Sequence, residues 1–151
     1  MKKLSGLIKQ LEEQIPDAEK RNPAVSQATV GWHIEHSLLV LNAIVDAVKR
    51  SDESKYKWKF NFIRTVIYTV GKIPAGKVKA PASVQPKGEF NIDKIESDFT
   101  MAKNNITALK GLPANQFFTH PFFGDLNVQP TITFLELHTR HHLKIIHRII
   151  Q

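Results

Sequence analysis

The segment FLELHTRHHLKIIHRII near the C-terminal end constrains this chain more than any other feature. It contains His138 and His142, which lie four residues apart. On an α-helix, residues with this spacing project from the same face, about one turn apart. Two imidazoles placed in this way can bind the same metal ion. We therefore predict a C-terminal helix that offers two histidine ligands and needs a third from elsewhere in the chain.

A second pair of histidines, His33 and His36, lies far upstream in VGWHIEHSLLVLNAIV. On a helix, His36 shares its face with apolar neighbours, namely Trp32, Leu39, Val40 and Ala43. His138 and His142 have similar apolar neighbours, namely Phe134, Leu135, Ile145, Ile146 and Ile149. Burying three imidazoles is costly unless their nitrogens are hydrogen-bonded or bind something. The predicted metal ligands are therefore His36, His138 and His142.

The other histidines are weaker candidates. His33 has the more polar neighbours Thr29 and Ser37, and His141 lies towards the flank of its helix, so each is an alternative ligand. His147 is predicted to lie at the surface. His120 precedes a proline, so it either stabilises a turn or approaches the metal site from above.

Three neutral imidazoles leave open coordination positions on Zn²⁺, Ni²⁺ or another divalent ion. An open position admits water or an anionic oxygen or sulfur ligand, whose pKa the ion would lower. Glu35 and Glu136 are the nearest carboxylates in sequence, but on their helices both point away from the predicted ligands. The chain has no cysteine, which excludes thiolate ligands, disulfides and a cysteine nucleophile.

Helical periodicity and breaker residues predict five helices along the chain. They run from Lys2 to Ile15, from Pro23 to about Lys49, from Lys57 to Gly71, from Asn91 or Asp93 to near Gly111, and from Pro130 or Thr131 to the end of the sequence. The third segment is aromatic and β-branched, so a strand is an alternative by propensity. We choose a helix because no partner strand is visible.

The connections complete the predicted architecture. Residues 71–88 contain three prolines and three glycines, which predicts an extended connection over the surface. The segment GLPANQFFTHPFFGDLNVQP is too apolar for a solvated loop, so we expect it to pack over an opening between the helices. The resulting fold class is all-α, a four-helix-type bundle with one long crossover, in a single domain over residues 1–151.

Composition limits the cellular setting. Hydrophobic residues make up 42% and charged residues 23% of the chain, which is typical of a globular rather than a disordered protein. Apolar runs are far shorter than the roughly 20 residues that span a bilayer, so no membrane partner is expected. The N-terminal segment becomes charged early and lacks the apolar core of a signal peptide. With the absence of cysteine, this fits a cytoplasmic protein.

The net charge of +7 is concentrated in one segment. Residues 55–87 contain eight basic residues and no acidic one. A solvated surface explains such a run, and an anionic substrate is the alternative. Nucleic acid is disfavoured because the segment contains no recognisable reading motif. A small-molecule substrate is therefore the expected partner.

Two motifs resemble the DinB-like metalloprotein superfamily. TVGWHIEHSLLVLN is similar to its second helix, in which a tryptophan precedes a ligand histidine by four residues. HPFFGDL followed by FLELHTRHHLKII resembles one branch, with the pattern His-Pro-Phe-Phe-Gly-x-Leu and then His-x-x-His-His-Leu-x-Gln. The resemblance covers nearly the whole chain. It implies a four-helix bundle, often dimeric, with His36, His138 and His142 as the ligands.

The resemblance also implies chemistry. Related proteins include bacillithiol-dependent S-transferases and mycothiol-dependent isomerases, in which the metal holds a low-molecular-weight thiol. This chain has Ile145 where the branch has glutamine, which implies altered specificity or lost activity. Three functions remain open: a metal-dependent transferase or hydrolase, a non-catalytic metal- or ligand-binding protein, and a vestigial site without metal. A pocket wall of Trp32, Phe117, Phe118, Phe122 and Phe123 would favour an apolar acceptor.

Overall fold

The computed structural model describes residues 1–74 and 81–151. The described chain is mostly helical, with one short antiparallel hairpin. The helices are α1 (Lys2–Glu12), α2 (Val30–Arg50), α3 (Phe62–Val70), α4 (Ile92–Ala108) and α5 (Val128–Ile150). The hairpin strands are β1 (Phe117–His120) and β2 (Gly124–Asn127), which pair from Phe117 opposite Asn127 to His120 opposite Gly124.

The four longest helices share one hydrophobic core. α1 packs against α4 and α5, and α2 packs against the same two helices. The largest fully buried side chains come from all four helices and include Leu4, Ile8, Ile34, Leu38, Ile95, Phe99, Leu135 and Ile146. Within residues 1–74 and 81–151, none of the helices combines the length and apolar character that a bilayer-spanning segment needs.

The start of α2 corrects the predicted boundary at Pro23. Thr29 is the N-cap of α2, and its hydroxyl accepts a hydrogen bond from the amide of Trp32 at 3.1 Å. Such a cap contributes about 1 kcal/mol and defines where the helix begins. Pro23 instead belongs to a turn in which the carbonyl of Asn22 accepts the amides of Val25 and Ser26. α2 therefore starts at Val30, seven residues after Pro23.

The third predicted segment is helical, but only from Phe62 onward. Asn61 caps α3 by accepting a hydrogen bond from the amide of Arg64 at 2.9 Å. Gly71 ends α3 with φ +68°, a left-handed conformation that suits glycine. The outward face of α3 and the segment before it expose six large apolar side chains: Trp58, Phe60, Phe62, Ile63, Val66 and Val70.

The phenylalanine-rich segment forms the hairpin rather than a loop, so the all-α prediction is wrong there. Phe118 and Leu126 are buried on one side of the hairpin, whereas Thr119 is exposed. Gly124 takes φ +70° where the chain enters β2. Isolated two-stranded hairpins are marginally stable. This hairpin packs on α2 and α5, which agrees with the expectation that the segment covers the helices.

The remaining boundaries differ by a few residues. α1 ends at Glu12 and Ile15–Asp17 forms a 3-10 turn, whereas the prediction extended the helix to Ile15. Asn91 caps α4 as one of the two predicted candidates, with its side chain accepting the amide of Lys94 at 2.9 Å. α5 begins at Val128, earlier than the predicted start at Pro130 or Thr131. Pro130 fits there because proline is tolerated in the first turn of a helix. Residues 75–80 of the predicted extended connection lie outside the described residues.

Candidate metal centre

The structure brings the three predicted ligands together. His36 on α2 and His138 and His142 on α5 each place a ring nitrogen within 4.8 Å of the other two. Their ring centroids are 5.2 Å apart for His36 and His138, 4.8 Å for His36 and His142, and 4.6 Å for His138 and His142. Helix packing therefore brings the ligand predicted on α2 to the pair predicted on α5.

The three rings fit a divalent ion after small movements. Bonds of 2.0–2.1 Å from imidazole nitrogen to tetrahedral Zn²⁺ place neighbouring ligand nitrogens about 3.3 Å apart. The widest nitrogen separation of 4.8 Å must therefore shorten by at most about 1.5 Å for zinc to be bound. Three neutral imidazoles without thiolate suit zinc, nickel and other divalent ions.

His36 is held by two neighbours. Its Nδ1 atom lies 2.7 Å from the carbonyl oxygen of Val84, so Nδ1 carries the proton and donates it. This leaves Nε2 of His36 as the nitrogen with a free lone pair. Trp32 stacks on the other side, with ring centroids 4.9 Å apart and planes 14° from parallel. The tautomer and orientation of His36 are thus both fixed by contacts outside the cluster.

His142 is also held by a hydrogen bond, and its partner is His33, which was not predicted to contact it. Its Nδ1 atom lies 3.0 Å from Nδ1 of His33. This contact leaves Nε2 of His142 free for an ion. His33 is only 4% exposed, which corrects the prediction of a more polar setting. Almost every face of α2 is buried, so the helical position of His33 did not distinguish it from a core residue.

His138 is the least buried residue of the three. It is partly exposed, whereas His36 and His142 are buried. Its ring packs against Phe134, with centroids 5.7 Å apart. Its imidazole is nevertheless buried, because desolvation is the largest cause of its lowered pKa.

Electrostatics keep the cluster neutral. Burial lowers the pKa of His138 and of His142 well below 6.5, and the neighbouring histidines lower both further. Burial also lowers the pKa of His36, and its hydrogen bond to Val84 partly opposes that shift. Burial lowers the pKa of His33 to about 4. At pH 7 all four imidazoles are neutral, as metal ligands and hydrogen-bond acceptors must be.

The two candidate carboxylates form ion pairs away from the cluster. Glu35 is buried and forms an ion pair with Lys94 at 2.6 Å. Glu136 pairs with Lys3 at 3.2 Å and with the N-terminal amine of Met1 at 3.9 Å. Among the described residues, no carboxylate joins the histidine cluster.

The remaining histidines fall outside the cluster. Nδ1 of His120 accepts the amides of Phe122 and Phe123 at 3.1 and 3.2 Å, so His120 stabilises the hairpin turn. Its ring stacks on Phe123 with centroids 4.3 Å apart. His141 lies on the flank of α5 and hydrogen-bonds to the backbone of Ile73. His147 is exposed, as expected.

A small cavity of about 130 Å³ lies on the flank of α5, and the ring centroid of its lining residue His141 is 5.2 Å from that of His142. Three cationic side chains line it, namely Lys72, Arg140 and Lys144, together with His141, and no acidic residue is among its lining. A larger cavity of about 300 Å³ lies elsewhere, between residues such as Met1, Leu112 and Ile132. His36, His138 and His142 line neither of these two cavities.

The predicted aromatic pocket wall is only partly formed. Trp32 contacts a candidate ligand, but Phe118 and Phe123 belong to the hydrophobic core. Phe117 packs on Tyr56, and Phe122 is half exposed. Ile145, which replaces the glutamine of the resembling motif, packs against the same hydrophobic core.

Comparisons of the chain with family models, with curated proteins and with solved structures give no match. The geometry of the cluster must therefore carry any functional conclusion. Sequence spacing found His138 and His142, and the apolar helix face found His36. Both missed His33 as a partner of His142 and the carbonyl of Val84, because a backbone acceptor has no signature in the sequence.

Proposed function

We propose that this protein is a DinB-like, divalent-metal-dependent enzyme whose metal is held by His36, His138 and His142. The observation that carries this proposal is the convergence of three neutral imidazoles from two helices within 4.8 Å. Two of the rings have their Nδ1 atoms engaged by partners outside the cluster, as expected for metal-ligating histidines. The packing of α2 and α5 around a shared core supports the four-helix bundle that the resemblance implies.

Zinc or nickel is the proposed ion. When bound, such an ion would act as a Lewis acid and lower the pKa of a water or thiol that enters its open position. The chain itself supplies three neutral ligands, so the full charge of the ion would remain to attract an anionic group.

The surroundings of the cluster support the proposed reaction class. Glu35 and Glu136 are both paired with cations away from it, so neither is placed to act as a general base. This favours a nucleophile that comes from a small molecule and is activated by the ion. We therefore propose transfer to or from a low-molecular-weight thiol, or the related metal-dependent hydrolysis.

The cationic cavity favours an anionic substrate or thiol. Leu137, Arg140, His141 and Lys144 form a stripe along α5, next to the stripe that carries His138 and His142. Among the described residues, neither Arg140 nor Lys144 has an acidic partner within ion-pair distance. A carboxylate bound in this cavity would lie against His141, whose ring centroid is 5.2 Å from that of His142.

Some side chains of the basic segment, residues 55–87, form contacts within the protein instead. Arg64 donates to the carbonyls of Lys59, Phe123 and Asp125, and Lys55 pairs with Asp52. Lys77 and Lys79 lie outside the described residues. Lys72 is thus the one member of the segment, among those described, that lines the cationic cavity.

A non-catalytic metal-binding protein is the second candidate. It is favoured by the position of the ligands on two separate helices, because an ion there would cross-link α2 to α5. In that case chelation would lower the melting temperature, and the metal-loaded protein would convert no substrate.

A homodimer is also proposed, through the apolar face of α3. Six large apolar side chains are exposed on this face and in the segment before it, with Phe62 71% and Trp58 67% exposed. Contiguous exposed apolar patches of more than a few hundred Å² mark interaction surfaces. Three aromatic and three aliphatic side chains supply several hundred Å², close to the roughly 800 Å² that each partner contributes to a stable interface.

The proposed activity is tested with metal-loaded protein, an anionic thiol and a cationic thiol. Glutathione and cysteamine would each be offered with an aryl halide, and thioether formation would be followed by absorbance. We expect turnover with glutathione that is lost in His138→Ala, and a weakened preference for glutathione in Lys144→Glu. His147→Ala, which alters an exposed histidine of the same helix, is the matched control. Turnover retained by His138→Ala would exclude the proposed site.

A further inference from the structure

His33 lies one helical turn before His36, and both of its nitrogens are engaged. Nδ1 of His33 lies 3.0 Å from Nδ1 of His142. Nε2 of His33 lies 3.0 Å from the hydroxyl oxygen of Ser26. A buried, neutral imidazole has one donor and one acceptor, so the two contacts must be of opposite kinds.

The direction of the protons follows from the metal-binding role of His142. If Nε2 of His142 binds an ion, its Nδ1 carries the hydrogen and must donate. Nδ1 of His33 is then the acceptor, and Nε2–H of His33 donates to Ser26. The hydroxyl oxygen of Ser26 also accepts the amide of Ala28 at 3.1 Å, which uses its two lone pairs. One assignment of protons therefore satisfies all the hydrogen bonds from Ser26 through His33 to His142.

The surroundings hold His33 in place. The ring of Trp32 meets it edge-on, with centroids 5.2 Å apart, while the same indole stacks on His36. Ser26 belongs to the turn that precedes α2, where its amide bonds to the carbonyl of Asn22. The contacts therefore run from the turn before α2, through His33, to a candidate ligand on α5.

We propose that His33 is a positioning residue, which accepts the Nδ1 proton of His142 and thereby directs Nε2 of His142 towards the metal. This inference rests on the proposed metal centre. It assigns to His33 a role other than that of a fourth ligand, because its Nδ1 faces the side of His142 opposite to the free nitrogen. A neutral imidazole in this role adds no charge, whereas a carboxylate would lower the positive charge of the ion's surroundings.

Two substitutions at His33 distinguish the loss of its hydrogen-bond acceptor from a change in side-chain volume or polarity. In His33→Asn, the side-chain oxygen can occupy the place of Nδ1 and still accept from His142. In His33→Gln, the amide reaches the place of Nε2 near Ser26, and the acceptor for His142 is lost. Metal affinity is measured by chelator competition with Zn²⁺ and Co²⁺, and the visible spectrum of the Co²⁺ form reports ligand geometry.

We expect His33→Gln to weaken metal binding by about 10- to 100-fold, as removal of such partners does at other metal sites. His33→Asn should stay within about threefold of the parent protein, with a parent-like Co²⁺ spectrum. His33→Phe, which keeps the ring volume, should match His33→Gln, and it serves if His33→Gln fails to fold. Circular dichroism of the metal-free forms checks folding.

Two results would overturn the inference while leaving the metal centre intact. One is parent-like affinity in both His33→Gln and His33→Phe. The other is an equal loss in His33→Asn, which would point to His33 as a ligand or as a packing residue. If the parent protein binds neither Zn²⁺ nor Co²⁺, the proposed metal function fails and the positioning role fails with it.

Discussion

The Nδ1 atom of His36 donates a hydrogen bond to the carbonyl oxygen of Val84 across 2.7 Å. The two residues are 48 positions apart in the chain. Val84 belongs to a 3-10 turn, Ala82–Val84, in the crossover between α3 and α4. This turn also packs on α2, so the crossover and the candidate metal centre share one contact.

The first prediction follows from this contact. In His36→Ala the carbonyl of Val84 loses its partner, so the crossover should open more often. We expect faster amide hydrogen exchange for residues 82–85, measured by mass spectrometry, with little change in α4. His147→Ala, which alters an exposed side chain, should leave that exchange unchanged. Equal exchange in His36→Ala and the parent would mean that the contact does not hold the crossover.

The second prediction concerns acid stability through His120. Burial lowers the pKa of His120 to about 4, below the value of 6.5 expected in the unfolded chain. Between pH 6.5 and 4 the unfolded state therefore binds a proton that the folded state does not. The contribution of His120 is fully present above pH 6.5 and is lost as the pH falls towards 4. We expect a loss of roughly 2 kcal/mol, reduced from the full shift because the ring is partly solvated.

His120→Asn supplies the comparison for this prediction. The asparagine oxygen can accept the amides of Phe122 and Phe123 in place of Nδ1, but it does not titrate. Urea unfolding of the metal-free proteins at pH 7 and pH 4.5 should show a smaller acid-induced loss of unfolding free energy in His120→Asn. Parallel losses in the two proteins would exclude His120 as a contributor.

The third prediction is that Glu35 stabilises the fold but does not contribute to the candidate metal centre. Glu35 is buried and pairs with Lys94, which also bonds to Asp98 at 3.0 Å. Glu35→Gln should lower the free energy of unfolding by roughly 1–2 kcal/mol, because Lys94 is half exposed and keeps Asp98. Metal content should not change. Thermal melts and elemental analysis measure both quantities, and a loss of metal would place Glu35 beside the ion.

The fourth prediction tests the apolar face of α3. Phe62 is 71% exposed, so Phe62→Glu should leave the fold intact and prevent association through this face. Light scattering after size exclusion should give twice the mass of one chain for the parent and a single chain for the variant. Met101→Glu alters an exposed apolar residue on α4 and is the matched control. A monomeric parent at micromolar concentration would exclude the proposed dimer.

Several parts of the structure were accessible from the sequence. The spacing of His138 and His142 identified two members of the cluster, since both helical position and residue type are visible in the sequence. The apolar face around His36 identified the third, although Ala43 on the predicted face is exposed. The cap at Asn91 was predicted as one of two candidates with Asp93, because a side-chain acceptor before a helix is a local signal.

Other parts depend on contacts between distant segments. The hairpin of β1 and β2 is too short to be stable alone and forms against α2 and α5. His33 was assigned to a polar setting because its helical neighbours Thr29 and Ser37 are polar, yet tertiary packing buries it against His142. The cavity lined by Lys72 and Lys144 joins the crossover to α5, and nothing local in the sequence pairs those residues.

The central claim is that His36, His138 and His142 hold one divalent ion. Elemental mass spectrometry of untagged protein, purified without added metal, tests it most directly, with His36→Ala, His138→Ala and the His147→Ala control measured alongside. We predict about one equivalent of zinc or nickel in the parent and in His147→Ala, and a loss of that metal in the other two variants. A parent protein that carries no metal and takes up no zinc on titration would contradict the claim.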